Sequence, residues 1–285
     1  MSHCVIDAFD QRPPRATCSE QEDAHPEPAP LGVSSVVRSR ELLWGVLSVT
    51  AGSADVISFL GLGGLFNSHI TGNLVILAGR VVNGSTAPAA LLLSVPVFVG
   101  VVFLTRLLAE RLQLADIPPL LPLLFLQLVL LGGCLAVCVS NALLVAFNQT
   151  QTQVVAGMLG VAAMAVQNAL VQSSLAGAPP TAAMTANVTR FGLALAELVL
   201  RRSPRQIAAA RSQLEHTWPA IVGFAAGGGL GAALEAHVGL WAFTLPVGAA
   251  LLALGLGVVA TGALERRSDV RCFVRSRAVS HEAGL

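Results

Sequence analysis

The sequence predicts an all-α integral membrane protein with six transmembrane helices and two short, broken or half-length helices, arranged as two pseudo-symmetric, inverted repeats. Three observations carry that expectation: a composition suited to lipid, an apolar stretch at 51–82 interrupted by glycines and polar residues, and a second stretch that resembles it. Hydrophobic residues make up 54% of the chain and charged residues 12%, whereas a soluble domain carries about one quarter charged residues. The mean hydropathy is +0.71. A net charge of +1, with no basic run interleaved with aromatics, excludes a nucleic-acid partner.

The 17 basic residues are all arginines, so Schiff-base lysine chemistry is excluded. Cys4, Cys18, Cys134, Cys138 and Cys272 form no CxxC pair. Cys134 and Cys138 lie four apart in an apolar run, where small packing residues are the commoner case than metal ligands. No metal, cofactor or disulfide framework is expected. Enzymatic activity is not expected either, because the chain has no GxSxG, HExxH or Walker-type loop. No catalytic residues are assigned.

Residues 1–37 mix Pro13, Pro14, Pro26, Pro28 and Pro30 with Glu20, Glu22, Asp23 and Glu27, which predicts a disordered tail without the apolar core of a cleaved signal. A single transmembrane domain follows at 38–265, with repeat one at about 40–147, repeat two at about 154–264, and a basic tail at 266–285. Segment one, Leu42 to Phe66, carries Asp55 and breaks at Gly61, Gly63 and Gly64. Segment two, Ile70 to Val82, is shorter than the roughly twenty residues a spanning helix needs. Segment three, Ala87 to Leu108, contains Pro96, which predicts a kink. Segment four runs from Ile117 to Phe147, and after a polar strip at 148–153, segment five runs from Val154 to Leu175. Segment six, Thr181 to Leu200, carries Asn187, Arg190 and Glu197. An arginine-rich loop (Arg201, Arg202, Arg205, Arg211) leads to segment seven, Thr217 to Leu234, and segment eight, Leu240 to Leu264.

The repeat is visible in short motifs. His-Ile-Thr-Gly-Asn at 69–73 aligns with Ala-Met-Thr-Ala-Asn at 183–187, and upstream Asp55 falls near Asn168 with one gap. Arginine positions then orient the chain. Arg38 and Arg40, Arg106 and Arg111, Arg201 to Arg211, and Arg266 to Arg277 all fall on the cytoplasmic side only if segments two and six do not cross. Both termini are then cytoplasmic, and the strip 148–153 and the turn Glu235-Ala236-His237 are outside. Three spans per half make the second half upside down, an arrangement in which half-length helices meet near the midplane. Trp44, Trp218 and Trp241 fall at segment ends, as interface anchors should.

Asp55 leads the candidate residues, since an intramembrane acid needs a compensating reason to be there. It suits proton or cation handling, or, more plainly, an ion pair or a bond to backbone exposed at the glycine break. Thr71 and Asn73 can cap the second segment or present it to an anion or carboxylate, and Thr185 and Asn187 admit the same two readings. Arg190 can pair with Glu197, or with Asp55 across the repeats, while Arg80 is expected to snorkel to the outer interface. His69 is a gate or an idle interfacial group, and Gln167 and Asn168 are expected to glue helices. Gly223, Gly227 and Gly231, four apart, predict a close helix-packing seam.

The runs Ala-Gly-Ser-Ala-Asp-Val-Ile-Ser-Phe and Gly-Gly-Leu-Phe-Asn-Ser-His-Ile-Thr-Gly-Asn-Leu-Val resemble the signature of the YoaK-type bacterial membrane proteins, a domain-of-unknown-function family. Its specific part is Asp55 to Asn73, where the order G-x-x-D … F-x-[ST]-x-x-T-G-N, opening at Gly52, is distinctive, and the layout extends over Arg40 to Leu264. The resemblance implies a small multi-pass membrane protein without an established activity.

The expected function is a small transporter or permease of the cytoplasmic (inner) membrane, moving an unknown small solute or ion. Its central site would join Asp55, Thr71 and Asn73 to Asn168, Thr185, Asn187 and Arg190, with Asp55 as coupling or charge-compensating group. The alternative is a non-transporting scaffold, sensor or accessory protein acting through helix packing. In either case the bilayer is the chief partner, and glycine-rich faces offer a surface for a homo-oligomer.

Overall fold

The computed structural model describes residues 31–84, 88–143, 149–174, 184–200 and 203–262. The helices are α1 (Leu31–Gly61), α2 (Ile70–Val82), α3 (Ala89–Leu114), α4 (Leu120–Leu143), α5 (Gln149–Ser174), α6 (Met184–Leu200) and α7 (Pro204–Val238). A 3-10 turn at Gly239–Phe243 then leads into α8 (244–262). Among the described residues there is no strand. Glu41–Gly61, Ala89–Leu114, Leu120–Ser140, Gln151–Ser173 and the continuous run Pro204–Gly262 are long and apolar enough to cross a membrane. Val99, Phe103 and Leu104 on α3, like Leu251, Leu252, Val258 and Val259 on α8, point outward from the bundle. An outer surface of that kind has lipid as its solvent, and the protein is a multi-pass α-helical membrane protein.

The core is stacked in layers, and the layers give each helix its direction. Leu43 and Leu47 of α1 meet Leu123 and Leu124 of α4, Val166 and Leu170 of α5, and Ala253 of α8. In the next layer Ala51 and Ala54 meet Leu131, Ala163, Met164 and Ala250. In the third, Ile57 and Leu62 meet Cys134, Cys138, Ala156, Ala242 and Phe243. Residue numbers rise together along α1 and α4 and fall along α5 and α8, so the two pairs run in opposite directions. By the same logic α3 runs with α5, since Ala90 and Leu91 pack with Val161 while Ala109 packs with Val166 and Leu170.

α7 runs with α1, because Gly223 faces Gly45 and Gly231 faces Ser53. α7 and α8 are therefore antiparallel, and the chain reverses at 239–243, where Gly239 takes φ 58°.

Several boundaries differ from the sequence expectation. α1 begins at Leu31, so 31–37 of the expected disordered tail is helical, while 1–30 lies outside the described residues. A helix already nucleated by packed residues extends cheaply through neighbours that contain no proline. α5 takes in 149–153 of the polar strip, and α7 takes in the end of the arginine loop and the turn expected at Glu235-Ala236-His237. The early start of α7 has a local cause: Ser203 accepts a bond from the Gln206 amide, and Pro204 occupies the first helical position, where its missing N–H costs nothing. α3 runs through Pro96 without ending. Trp44, expected at the interface, is 6% exposed and packs 5.7 Å from the His216 ring, whereas Trp218 and Trp241 are 51% and 50% exposed.

Candidate functional site

The chain between α1 and α2 dips back into the bundle. Gly63 and Gly64, at φ 76° and 85°, make the turn that side chains with a Cβ rarely permit. Gly63 lies near Gln153 of α5, Leu65 against Gly157, and Asn67 against Gly160. A Cβ on Gly157 would meet Leu65 at 2.5 Å, and one on Gly160 would meet Asn67 at 2.6 Å. The loop thus descends along α5, and α2 starts deep inside, beside Phe98 and Asn168, before rising toward the first turn of α3. α2 is a short helix of 13 residues with the bounds expected from the sequence, Ile70–Val82.

Asp55 holds the bottom of this loop. Its Oδ1 accepts the backbone amides of Asn67 and Ser68 at 2.7 and 2.6 Å, and its Oδ2 accepts the Ser68 hydroxyl and bonds His69 Nδ1, each at 2.5 Å. Both oxygens of this fully buried carboxyl group are thus matched to donors of the loop it holds. His69 belongs to the loop, outside the helices, and its bond to the carboxylate raises its pKa above the ordinary imidazole value, against the opposing effect of burial.

Three more polar residues stitch the loop. Asn73, fully buried, donates from Nδ2 to the Phe66 carbonyl and accepts the Phe66 amide at Oδ1, both at 2.8 Å. Asn67 donates to the Ala54 carbonyl and accepts the Ser58 hydroxyl. Arg80 reaches back to the Gly63 carbonyl at 3.0 Å, so it ties the top of α2 to the glycine break instead of snorkelling to the interface. No side chain caps α2: His69 occupies the cap position without such a bond, and Asn73 is engaged with Phe66. The capping role expected of Thr71 and Asn73 is therefore not the one they fill.

A cavity of ≈ 810 Å³ lies at this uncapped start. Ser68, His69, Ile70 and Thr71 line it from the loop and α2, Phe98, Val102 and Arg106 from α3, and Asn168, Ala169, Gln172 and Ser173 from α5. Arg106 also pairs with Glu110 one turn along α3. On the α7 side a second cavity of ≈ 410 Å³ touches Asp55, His69, Thr71 and Phe224. The larger space combines a helix start that no side chain caps, a histidine, an arginine and several neutral hydrogen-bonding groups. Such a set favours an anion or a carboxylate.

The expected central site is assembled in part. Asn168 is brought to Thr71, although its Nδ2 is held by the Met164 carbonyl one turn back. Thr185, Asn187 and Arg190 do not line this cavity. Asn187 is fully buried, as Asn73 is, and Thr185 is exposed. The pairings expected for Arg190, with Asp55 or with Glu197, are not formed: among the described residues the ion pairs are His69–Asp55 and Arg106–Glu110. The short Asp55 bonds to its own loop leave no open face for an arginine from the other half.

The glycine seam is present, and α1 fills it. A Cβ on Gly227 would meet the Val49 carbonyl at 2.4 Å, and one on Gly223 the Gly45 carbonyl at 2.7 Å. From the other side, a Cβ on Gly52 would meet the Phe224 carbonyl at 2.2 Å. With its surface covered within the chain, this seam is not available to a second copy, nor as the working face of a scaffold. The small residues Gly45, Ser48, Gly52 and Ser53 on α1 were the sequence signal for its partner. Gln127 was also missed: its amide donates to Gln167 Oε1 at 2.7 Å, and Gln167 donates to the Leu47 carbonyl at 2.9 Å, linking α4, α5 and α1. A single glutamine in a leucine-rich run has no sequence feature that names its partner.

Fold and site together define a polytopic α-helical membrane protein in which a short helix, without a side-chain cap at its start, faces a partly open cavity of mixed polar and apolar lining. The family described as "Protein of unknown function (DUF1275)" matches residues 43–256, and the chain belongs to that family. This agrees with the resemblance carried by Asp55 to Asn73. No curated protein and no solved structure matches the chain.

Proposed function

We propose that this protein is a small transporter of the cytoplasmic membrane, with both termini cytoplasmic, that carries an anionic or carboxylate-bearing solute through the cavity at the start of α2. The observation that carries the reading is that uncapped start, set deep in the bundle against ≈ 810 Å³ of space with mixed polar and apolar lining. Six crossing helices, α1, α3, α4, α5, α7 and α8, with α2 and α6 as half-length elements, account for the helix directions. The packing supports two inverted repeats: α1 lies against α7 as α3 lies against α5, and α2 against α3 as α6 against α7. Exchanging the halves turns each pair into the other, which is what pseudo-symmetric alternating access requires. Asp55 serves as charge compensator and anchor, holding His69 at the cavity wall.

The test is flux in proteoliposomes under imposed gradients of small carboxylates and inorganic anions, with and without a proton gradient. Wild-type protein should move at least one of them. Phe98→Trp, which fills the cavity from its α3 wall, should reduce that flux at least tenfold, by about 1.4 kcal/mol or more on the transport barrier. Absence of flux under every gradient would overturn the reading.

A further inference from the structure

At the opposite end of the bundle from the 239–243 turn, α6 and the first turns of α7 enclose a groove of ≈ 380 Å³. Its walls are Leu193, Ala194, Ala209 and Ala210. α6 and α7 pack against each other as antiparallel neighbours, so Glu197 and Gln206 share one end of the groove and Arg190 and Gln213 the other. Among the described residues Glu197 Oε2, which is buried, has no hydrogen-bond partner. Arg190 lines the same groove and forms no ion pair among the described residues. A buried carboxylate oxygen without a donor carries a desolvation penalty that a ligand can relieve.

We propose that this groove binds the headgroup of a zwitterionic phospholipid bearing a primary ammonium, the phosphoethanolamine type. Arg190 and Gln213 hold the phosphate, and Glu197 Oε2 and Gln206 accept the ammonium N–H groups. The groove offers both a cation and an acceptor, so its ligand carries both charges. A purely anionic headgroup leaves Glu197 unsatisfied and repelled. A quaternary ammonium has no N–H to give to a buried oxygen. Lipid is the source because the rim is greasy: Leu193 is 64% exposed and Leu200, two turns on along the same face of α6, is 52% exposed. Arg205 and Arg211 on α7 make this end electropositive, as befits phosphate depth. This site is independent of the cavity at α2 and stands whether or not the protein transports anything.

Native mass spectrometry of the intact protein, loaded with phosphatidylethanolamine, phosphatidylglycerol or phosphatidylcholine of matched chains, reads the proposal directly. Phosphatidylethanolamine should be retained about tenfold better than phosphatidylcholine, the value of one charge-assisted hydrogen bond. Glu197→Gln should remove that preference, Arg190→Gln should weaken retention of all three lipids, and Leu193→Trp, at an exposed rim position, should block the groove without touching the core. Equal retention of the ethanolamine and choline lipids by wild-type protein overturns the proposal and needs no variant to fold. So does a preference that survives Glu197→Gln. Displacement by soluble phosphoethanolamine at concentrations equal to the lipid overturns the lipid assignment in favour of a free solute.

Discussion

α1 has two neighbours of opposite character. Toward α7 it presents Gly45, Ser48, Gly52 and Ser53, and at Gly52, Gly223 and Gly227 the two backbones approach until no added carbon fits. Toward the 62–69 loop it presents Asp55, Ser58 and the Ala54 carbonyl, and contact is made by hydrogen bonds of 2.5 to 3.2 Å. The first side is close-packed. The second borders cavities of ≈ 410 and ≈ 810 Å³. Lipid tails supply no hydrophobic drive for joining two helices, so close backbone packing supplies cohesion instead. Directional bonds can hold a loop at depth without filling the space around it, and open space is what a solute needs. The helix thus divides its two faces between cohesion and a site.

Three substitutions probe that division, and they should rank in order. The largest effect belongs to the seam: Gly227→Leu places a side chain where its first carbon already meets the Val49 carbonyl at 2.4 Å. It should cost about 4 kcal/mol or more, seen as loss of monodisperse protein in detergent. Asp55→Ala should come next, at about 3–5 kcal/mol, since it strands two buried amides, a hydroxyl and His69. Thermal unfolding in detergent measures it, and a loss that matches His69→Ala alone would mean that the backbone bonds carry little. Gln167→Leu should be smallest, at about 1–2 kcal/mol: it strands the buried Gln127 amide, but interhelical hydrogen bonds in membranes are weak on average and the Leu47 carbonyl belongs to a helix already. If Gln167→Leu exceeded Asp55→Ala, the contrast between the two sides of α1 would fail.

Some of the site was legible early. The α2 bounds followed from a mainly apolar run of 13 residues between a polar cluster and Asn83-Gly84, and the seam followed from glycines four apart. Asp55 stood out because lipid makes carboxylates expensive, and its plainer reading, a bond to backbone exposed at the glycine break, is the geometry found. The partners of Arg80 and Asn73 were not legible, since each bonds a backbone atom, and backbone atoms leave no trace in residue identity. The start of α7 was legible and missed: Ser203-Pro204-Arg205-Gln206 is a capping pattern that the arginines obscured.

By itself the sequence determined the solvent, the helical class, the position of the short helix and the residues too costly to be idle. Those follow from transfer free energies and from the length a helix needs to cross a bilayer, both of which are local properties of the chain. Only the tertiary structure decided that Asp55 bonds to its own loop instead of to Arg190, that α1 fills the glycine seam, and that the start of α2 faces Asn168 across a cavity. Those outcomes depend on which backbones meet and at what depth. Contacts of that kind join residues far apart in the chain, Gln167 and Leu47 at 120 positions among them, and no local pattern encodes them.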